Sequence, residues 1–184
     1  MAFNVNDFRS QLQYGGAKPT LFEVQIQNPV STIADLKSTF MIKAAQLPSS
    51  QLGEIPAPYF GRKIKLAGDR TFQPWSVTVI NDEDFVVRNA METWMSFMNS
   101  HEGNMQQFGT SSPAAYKSQA IINQYAKTGQ IIRTYKFHGL YPANITEIQM
   151  SWGAVDEIEE FGVTFNYDWW TVEGLTGNAA TDAQ

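Results

Sequence analysis

Apolar and polar side chains alternate along much of this chain, and no other feature limits its possible folds as strongly. Successive side chains of a β-strand point to opposite faces, so a period of two is typical of a strand with one buried face. The clearest run places five large apolar residues on one face: Phe161, Val163, Phe165, Tyr167 and Trp169. The same period predicts strands at 22–27, 75–79 and 147–152, with weaker candidates at 39–45, 62–66 and 131–138. The pattern at 118–125 fits a strand or a helix, and the turn signal at 128–129 favours the strand.

One segment follows a helical period instead. Its apolar residues recur at steps of three and four, from Val87 through Trp94 to Met98, and three acids at 82–84 precede it. Acidic residues at a helix start oppose the positive end of the helix dipole, and Asp can cap the first turn. A Met and Trp stripe at this spacing is typical of core packing against a sheet. We therefore predict one flanking helix.

Two segments between the strands have loop signals. Residues 31–37 are predicted as a loop between two strands. The stretch 48–61 contains Pro56 and Pro58 and is predicted as a long ordered loop. Long loops in small domains are usually functional, so the second segment is a candidate site.

Length and composition point to one domain without thiol chemistry. The 184 residues suit a single core, predicted as one domain over 1–184 with an ordered part at about 20–172 and a flexible tail at 174–184. Cysteine is absent, which excludes disulfides and cysteine metal sites. No stretch has the length and apolarity of a secretion signal or a membrane span, so we expect a protein made in a cytoplasm.

Charge is unevenly distributed along the chain. Residues 1–136 hold all 13 Lys and Arg with ten acids, whereas residues 137–184 hold eight acids and no Lys or Arg. Such polarity suits head-to-tail contact between copies, and it also suits pairing within one molecule. Charged residues make up only 17% of the chain, which favours a surface that protein contacts can bury.

The sequence offers little support for catalysis. His101 and His138 have no second ligand at metal-binding spacing, and no phosphate-binding loop or nucleophile motif is present. The acids at 82–84 suit a helix start, and those at 156–160 suit a solvated turn, although paired carboxylates could in principle serve a glycosidase. We expect no enzyme activity, no cofactor and no metal.

Four basic residues lie close together among aromatic side chains. Arg62, Lys63, Lys65 and Arg70 are flanked by the aromatics Tyr59, Phe60 and Phe72. This combination occurs in nucleic-acid-binding proteins, but with an isoelectric point near 5.0 a protein–protein role is the better interpretation.

The segment 61–72, GRKIKLAGDRTF, followed by WSVTV at 75–79 and NDE at 81–83, closely resembles the tail tube proteins of large contractile-tailed bacteriophages. Three further stretches agree in order and spacing. They lie at 116–126, at 139–144 (GLYPAN) and at 161–170, where FGVTF leads to YDWW. Together these matches extend from about residue 21 to residue 170.

The resemblance implies an antiparallel β-sandwich or half-barrel with one flanking helix, completing an inner barrel in a hexameric ring. Stacked rings would form the virion tail tube, the conduit for genome ejection. The implied partners are other copies of the chain, the tail sheath protein, the baseplate platform, the tape-measure protein and the tail terminator. DNA would pass through without specific binding. A secretion-system tube subunit and a carbohydrate-binding β-sandwich remain the alternatives.

Two sets of site residues follow for a tube subunit. We expect contacts between rings or subunits from apolar and basic residues near the Pro-rich stretch: Ile55, Tyr59, Phe60, Arg62, Lys63, Lys65 and Arg70. We expect a polar, net acidic lumen, because a surface that attracted phosphates would hold the DNA by counterion release. Its candidate residues come from polar strand faces: Glu23, Gln25, Gln27, Glu147, Gln149, Ser151 and Asp168.

Overall fold

A computed structural model describes residues 5–12, 16–106 and 112–174. The strands are β1 (Phe22–Ile26), β2 (Ile42–Ala45), β3 (Ser50–Tyr59), β4 (Arg62–Phe72), β5 (Trp75–Ile80), β6 (Ser118–Tyr125), β7 (Ile131–Ile145), β8 (Glu160–Asn166) and β9 (Trp169–Gly174). The helices are α1 (Val5–Gln11), α2 (Asp35–Met41), α3 (Val86–Met98) and α4 (Pro113–Tyr116). Residues 175–184, most of the predicted tail, lie outside the described part.

The long strand β7 belongs to two layers. Its first half pairs with β6 on one side and β9 on the other, and β1 extends this layer beyond β6. Its second half pairs with β8, which continues through β5 to β2 in the other layer. Every pairing is antiparallel. The prediction of a mainly β, antiparallel sandwich or half-barrel with a flanking helix is confirmed.

The chain turns between the layers where Gly139 lies opposite Asp168. Gly139 has a φ of +68°, and a Cβ built there would lie 2.1 Å from the Asp168 Oδ2 atom. The Asp168 N–H donates to the His138 carbonyl at 2.9 Å, and the Asp168 carboxylate accepts from Lys117 Nζ at 2.7 Å. Only glycine fits this corner without displacing Asp168.

The core lies between the layers and is rich in aromatic rings. Trp75 stacks on Phe137 with ring centroids 4.5 Å apart, and Phe165 lies 5.5 Å from Trp75. Helix α3 contributes Trp94, which is 0% exposed and donates its indole N–H to the Tyr116 carbonyl at 2.8 Å. The predicted helix and its apolar stripe are therefore confirmed, with Val87, Ala90, Met91 and Trp94 buried.

Strands β3 and β4 form a separate two-stranded sheet, which we call the hairpin (residues 50–72). The prediction of a loop at 48–61 was wrong, because residues 50–59 are a strand. Pro56 and Pro58 are two residues apart, so their missing N–H groups fall on the same edge of β3. That edge can face away from β4, where no N–H group is needed for hydrogen bonds between the two strands. The prolines therefore do not prevent β3 from pairing with β4.

Four other expectations need correction. Residues 31–37 are not a simple loop: a 3-10 turn at Thr32–Ala34 leads into α2, so the strand proposed at 39–45 begins only at Ile42. No strand forms at 147–152. The β7–β8 ladder closes where the Thr146 N–H donates to the Gly162 carbonyl, and no partner strand remains for the alternating residues that follow. The run at 161–169 is divided at 167–168, where β8 ends and the chain bends into β9.

The remaining predicted strands are confirmed. The expectations at 22–27, 75–79 and 118–125 correspond to β1, β5 and β6. Those at 62–66 and 131–138 form β4 and β7 but extend further, to Phe72 and Ile145. Alternation thus located most strands, and tertiary pairing set their ends.

Candidate functional site

The hairpin is amphipathic across its two faces. Its register pairs Ile55 with Leu66, Ala57 with Ile64 and Tyr59 with Arg62, so one face is largely apolar. The opposite face carries Lys63 and Lys65, paired with the two prolines.

A tight turn presents the end of the hairpin to solvent. Phe60 and Gly61 have φ values of 41° and 78°, the two positive values that a two-residue type I′ turn requires. The Phe60 side chain is 92% exposed and contacts Tyr59 edge-on, with ring centroids 4.8 Å apart. The tip of the hairpin is therefore an exposed aromatic pair beside Arg62.

The hairpin lacks a covering layer within the described part of the chain. Ile55, Tyr59, Ile64 and Leu66 are each more than half exposed. An isolated two-stranded hairpin is marginally stable in water, and monomeric proteins rarely leave an apolar surface of this kind open. The arrangement is typical of a surface that another molecule covers.

The seven predicted contact residues all lie on this hairpin, although they divide between its faces. Lys65 pairs with Glu54 at 2.9 Å, whereas Arg62, Lys63 and Arg70 form no ion pair within the described residues. The sequence reasoning missed Ile64 and Leu66. Their alternation at 62–66 was visible, but their place opposite Ile55 depends on a pairing register that the sequence did not supply.

The solvent face of the layer β1-β6-β7-β9 is polar. Glu23, Gln25 and Gln27 lie on it, opposite the buried Val24 and Ile26. Gln25 Nε2 donates to Glu23 Oε1 at 3.0 Å, and Gln119 Nε2 donates to Gln27 Oε1 at 2.7 Å. The hydrogen bond from the Tyr125 hydroxyl holds the pKa of the Glu23 carboxyl below its ordinary value. Amide side chains and an ionised carboxylate therefore form this face.

The same face continues across β7 and β9 with few charges. By register it includes Lys136, Thr171 and Glu173. His138 stacks on Trp169 with ring centroids 5.3 Å apart, and burial lowers the His138 pKa. His138 is therefore a polar residue of strand β7.

The other predicted lumen residues do not share this face. Glu147, Gln149 and Ser151 lie in the exposed connection between β7 and β8, which belongs to the opposite layer. Asp168 lies at the corner, paired with Lys117, whose pKa the Asp168 carboxylate raises. Glu147, Gln149, Ser151 and Asp168 thus lie apart from Glu23, Gln25 and Gln27, because only the last three occupy a strand of this layer.

The connection between β7 and β8, which we call the acidic segment (residues 146–159), surrounds a concavity of about 700 Å³. Its exposed apolar residues include Met150, Trp152 and Ile158, and its acids are Glu147, Asp156, Glu157 and Glu159. It contains no Lys or Arg. The segment therefore combines apolar surface with one sign of charge.

Helix α2 and the turn before it expose a third apolar surface. Ile33, Leu36 and Phe40 are each more than three-quarters exposed. On its other side, Lys37 contacts Asp82 at 2.7 Å and also pairs with Asp84, next to the start of α3. The sequence reasoning missed this surface because it assigned 31–37 to a loop.

The described residues offer no metal-binding group of three or more His, Asp or Glu side chains. His101 accepts or donates a hydrogen bond with Ser96 at 3.1 Å. Within the same described ranges, no helix has the length and apolarity needed to cross a membrane. The acids at 82–84 stand at the helix start, where the Asp84 carboxylate accepts the Val86 N–H at 3.1 Å.

Comparison with known proteins gives a consistent result. Residues 17–173 match the model of a family described as phage tail tube protein. Over 170 residues the chain is 37% identical to tail tube protein gp19 of Enterobacteria phage T4, covering 92% of this chain and 94% of gp19. It is 27% identical to the tail tube protein of Serratia phage KSP90 over 168 residues, covering 89% and 93% of the two chains.

Solved structures support the same fold. A chain in the cryo-EM structure of the anti-feeding prophage cap has a TM-score of 0.63 at 15% identity, covering 89% of this chain and 93% of its own. A chain in the sheath/tube terminator structure of an extracellular contractile injection system has a TM-score of 0.64 at 12% identity, covering 89% and 99%.

An antiparallel sandwich with open strand edges and an uncovered apolar hairpin defines a structural building block. The chain belongs to the phage tail tube protein family. It is accordingly a structural component of a contractile phage tail, located in the virion. Family membership favours the tail tube role over the two alternatives, a secretion-system tube subunit and a carbohydrate-binding module. The family consists of structural proteins.

Proposed function

We propose that six copies of this chain close into a ring through the edges of the layer β1-β6-β7-β9. The supporting observation is that β1 and β9 form the two outer edges of this layer, each with one partner strand among the described residues. Pairing β1 of one copy with β9 of the next would satisfy both edges, which otherwise invite uncontrolled association. Six layers joined in this way form a closed inner barrel.

The polar face of that layer forms the lumen in this proposal. Glu23, Gln25 and Gln27 would line it together with Lys136 and Glu173, which leaves more acids than bases. Six copies place acidic charge around a narrow channel whose walls focus the field. Duplex DNA would then pass without being held, because the channel neutralises few phosphates. Glu147, Gln149, Ser151 and Asp168 belong to other surfaces and are not used.

The hairpin forms the contact between stacked rings. Its apolar face, with Ile55 and Tyr59, and the exposed Phe60 gain a cover on stacking, and Arg62, Lys63, Lys65 and Arg70 tune register and rate. Further partners of the assembled tube are the tail sheath protein and the tail terminator, and beyond them the baseplate platform and the tape-measure protein. The relatives named for tube, sheath and terminator assemblies support the first two.

Electron microscopy of the purified full-length chain tests the ring. Six-membered rings or tubes, with β1 of one copy beside β9 of the next at high resolution, are expected. A protein that stays monomeric at high concentration would contradict the proposal. Rings joined through other strands would contradict the edge assignment alone.

Binding measurements test the lumen. Assembled tubes should show no measurable affinity for duplex DNA at physiological salt. Replacing Glu23 and Glu173 with Lys should create binding that weakens as salt rises, because each neutralised phosphate adds a counterion-release contribution. Replacing the exposed Glu83 and Glu102 with Lys makes the same change in charge outside the proposed lumen, the hairpin and the acidic segment, and serves as the control. Equal DNA binding by both variants would refute the assignment of this face.

A further inference from the structure

Hydrogen bonds anchor the two ends of the acidic segment to the fold, at Thr146 and at Glu159. The exposed part between them has the properties that the hairpin tip needs in a partner. Resting on the proposed ring assembly, we infer that the hairpin tip of one copy inserts into the concavity of the acidic segment of a second copy in the adjacent ring. The hairpin thus has a defined receptor on the same chain. The contact joins two different surfaces of two identical molecules.

The hairpin tip supplies the aromatic and basic side chains of the proposed contact. Tyr59 and Phe60 pack edge-on at the end of a two-residue turn, so the two rings project together from the end of the hairpin. Arg62 and Lys63 follow directly, and neither has an ion-pair partner in the described part of its own chain. Aromatic and Arg side chains are those that most often dominate protein interfaces.

The acidic segment supplies the complementary receptor. Met150, Trp152 and Ile158 offer exposed apolar surface around a concavity of about 700 Å³, which suits a pair of aromatic rings. Glu147 and Glu157 also line it and have no ion-pair partner among the described residues. The aromatic rings of the hairpin tip can therefore fill the concavity while its basic residues pair with these glutamates.

Charge favours contact between these two surfaces over contact of either with itself. The hairpin has four basic and two acidic residues, a net charge of +2, and the acidic segment has four acids and no base, a net charge of −4. Two hairpins or two acidic segments brought together would repel. Opposite potentials steer docking and suppress the wrong pairings.

A contact between different surfaces is heterologous, and this property determines what it builds. After one contact forms, the copy that supplied its hairpin retains a free acidic segment, and the copy that supplied its acidic segment retains a free hairpin. Such contacts repeat without limit unless a rotation closes them. The pairing of the hairpin tip with the acidic segment therefore extends a stack of rings in one direction.

The absence of native cysteine allows a direct test by disulfide trapping. We would prepare Pro58→Cys, beside the hairpin tip, and Ser151→Cys, in the lining of the concavity, because these changes leave Tyr59, Phe60 and Trp152 in place. The two proteins are mixed and oxidised under assembly conditions, and the expected main product is the mixed disulfide dimer, well above either homodimer. Lys127→Cys, an exposed position in the β6–β7 turn, replaces Ser151→Cys in the control mixture. No excess of the mixed dimer over that control would overturn the inference.

Mixing two assembly-deficient proteins gives an independent test. The double variant Tyr59→Ser/Phe60→Ser lacks the aromatic rings of the hairpin tip, and Trp152→Ser lacks the main apolar side chain of the acidic segment. Each variant alone should therefore give single rings and no tubes. Their mixture retains one working contact and should give pairs of rings that grow no further. Met105→Ser, an exposed apolar change outside both surfaces, should still form tubes.

The outcomes separate this inference from the proposed function. Wild-type protein without rings refutes the ring itself. If the wild-type protein and either deficient variant all form tubes, the contact between the hairpin tip and the acidic segment is refuted. The proposed ring is not affected by that result. Variants that lose their rings, and not only their stacks, place the contact within the ring and refute the ring-to-ring assignment.

Discussion

The β3–β4 hairpin and the β5–β8 pair are both regular antiparallel ladders, but they differ in what covers their apolar faces. In β5–β8 the pairs Trp75–Phe165, Val77–Val163 and Val79–Phe161 are buried in the sandwich. In the hairpin the corresponding pairs, Ile55–Leu66 and Ala57–Ile64, have no covering layer in the described chain. The first ladder is stabilised by its own molecule, whereas the second, in the proposed assembly, gains comparable burial from a second copy.

This contrast separates stability from assembly. Changes in the sandwich core should lower the free energy of unfolding and impair assembly as a consequence. Changes in the hairpin should leave unfolding almost unaltered and impair assembly directly. The predictions below run from the largest expected difference between the two regions to the smallest.

Truncation of a large aromatic side chain gives the widest separation. Trp94→Ala removes a fully buried ring and its hydrogen bond to Tyr116, which should reduce the free energy of unfolding by about 3–5 kcal/mol. Phe60→Ala removes an exposed ring and should change it by less than about 0.5 kcal/mol. Urea denaturation of the unassembled proteins measures both. Similar losses in the two variants would mean that the hairpin is part of the cooperative core.

Two glycines with positive φ provide a finer comparison. Gly139→Ala adds a clash with Asp168 to the cost of a left-handed alanine, so it should destabilise the protein by more than about 1–2 kcal/mol. Gly61→Ala meets no neighbouring atom within 4 Å and strains only the hairpin turn. We expect a clear fall in melting temperature for Gly139→Ala and almost none for Gly61→Ala. Equal falls would show that the turn is coupled to the sandwich.

Acid sensitivity should come from the sandwich side and is the smallest effect. Hydrogen bonds from Lys37 lower the pKa values of Asp82 and Asp84, so these carboxylates stabilise the fold above the ordinary Asp pKa of about 3.9. That contribution is lost as pH falls below this value towards the folded-state pKa values. Lys37→Met should therefore flatten the fall in melting temperature between about pH 4 and pH 2, while Lys65→Met, on the hairpin, should not.

A Lys65→Met variant with the same flattened acid profile as Lys37→Met would contradict this assignment. The two lysines form a matched pair because each contacts carboxylates in its own region. The comparison thus controls for the general loss of one positive charge.

Much of the sandwich could be predicted from alternation, because Phe161, Val163 and Phe165 need a buried face whatever strands lie beside them. The hairpin could not, since Pro56 and Pro58 suggest a loop until the unused edge of β3 is known. At 147–152 the pattern was misleading, because alternation cannot show whether a partner strand exists.

The candidate site could be predicted in part for the same physical reason. The basic and aromatic cluster at 59–70 stood out by composition alone. Its division into faces depends on register, which a single sequence does not reveal. The acidic segment was visible only as a group of charges, and its concavity arises from the way 146–159 spans the end of the β7–β8 ladder.

Hydrogen–deuterium exchange of the hairpin, compared between unassembled protein and assembled tubes, tests the central claim most directly. We expect the backbone amides of 50–72 to exchange fast in the unassembled protein and to become strongly protected in tubes, together with those of 146–159. The amides of β5 and β8 should be protected in both states and serve as the internal reference. Hairpin exchange that stays equally fast in tubes would contradict the claim that a second copy covers this surface.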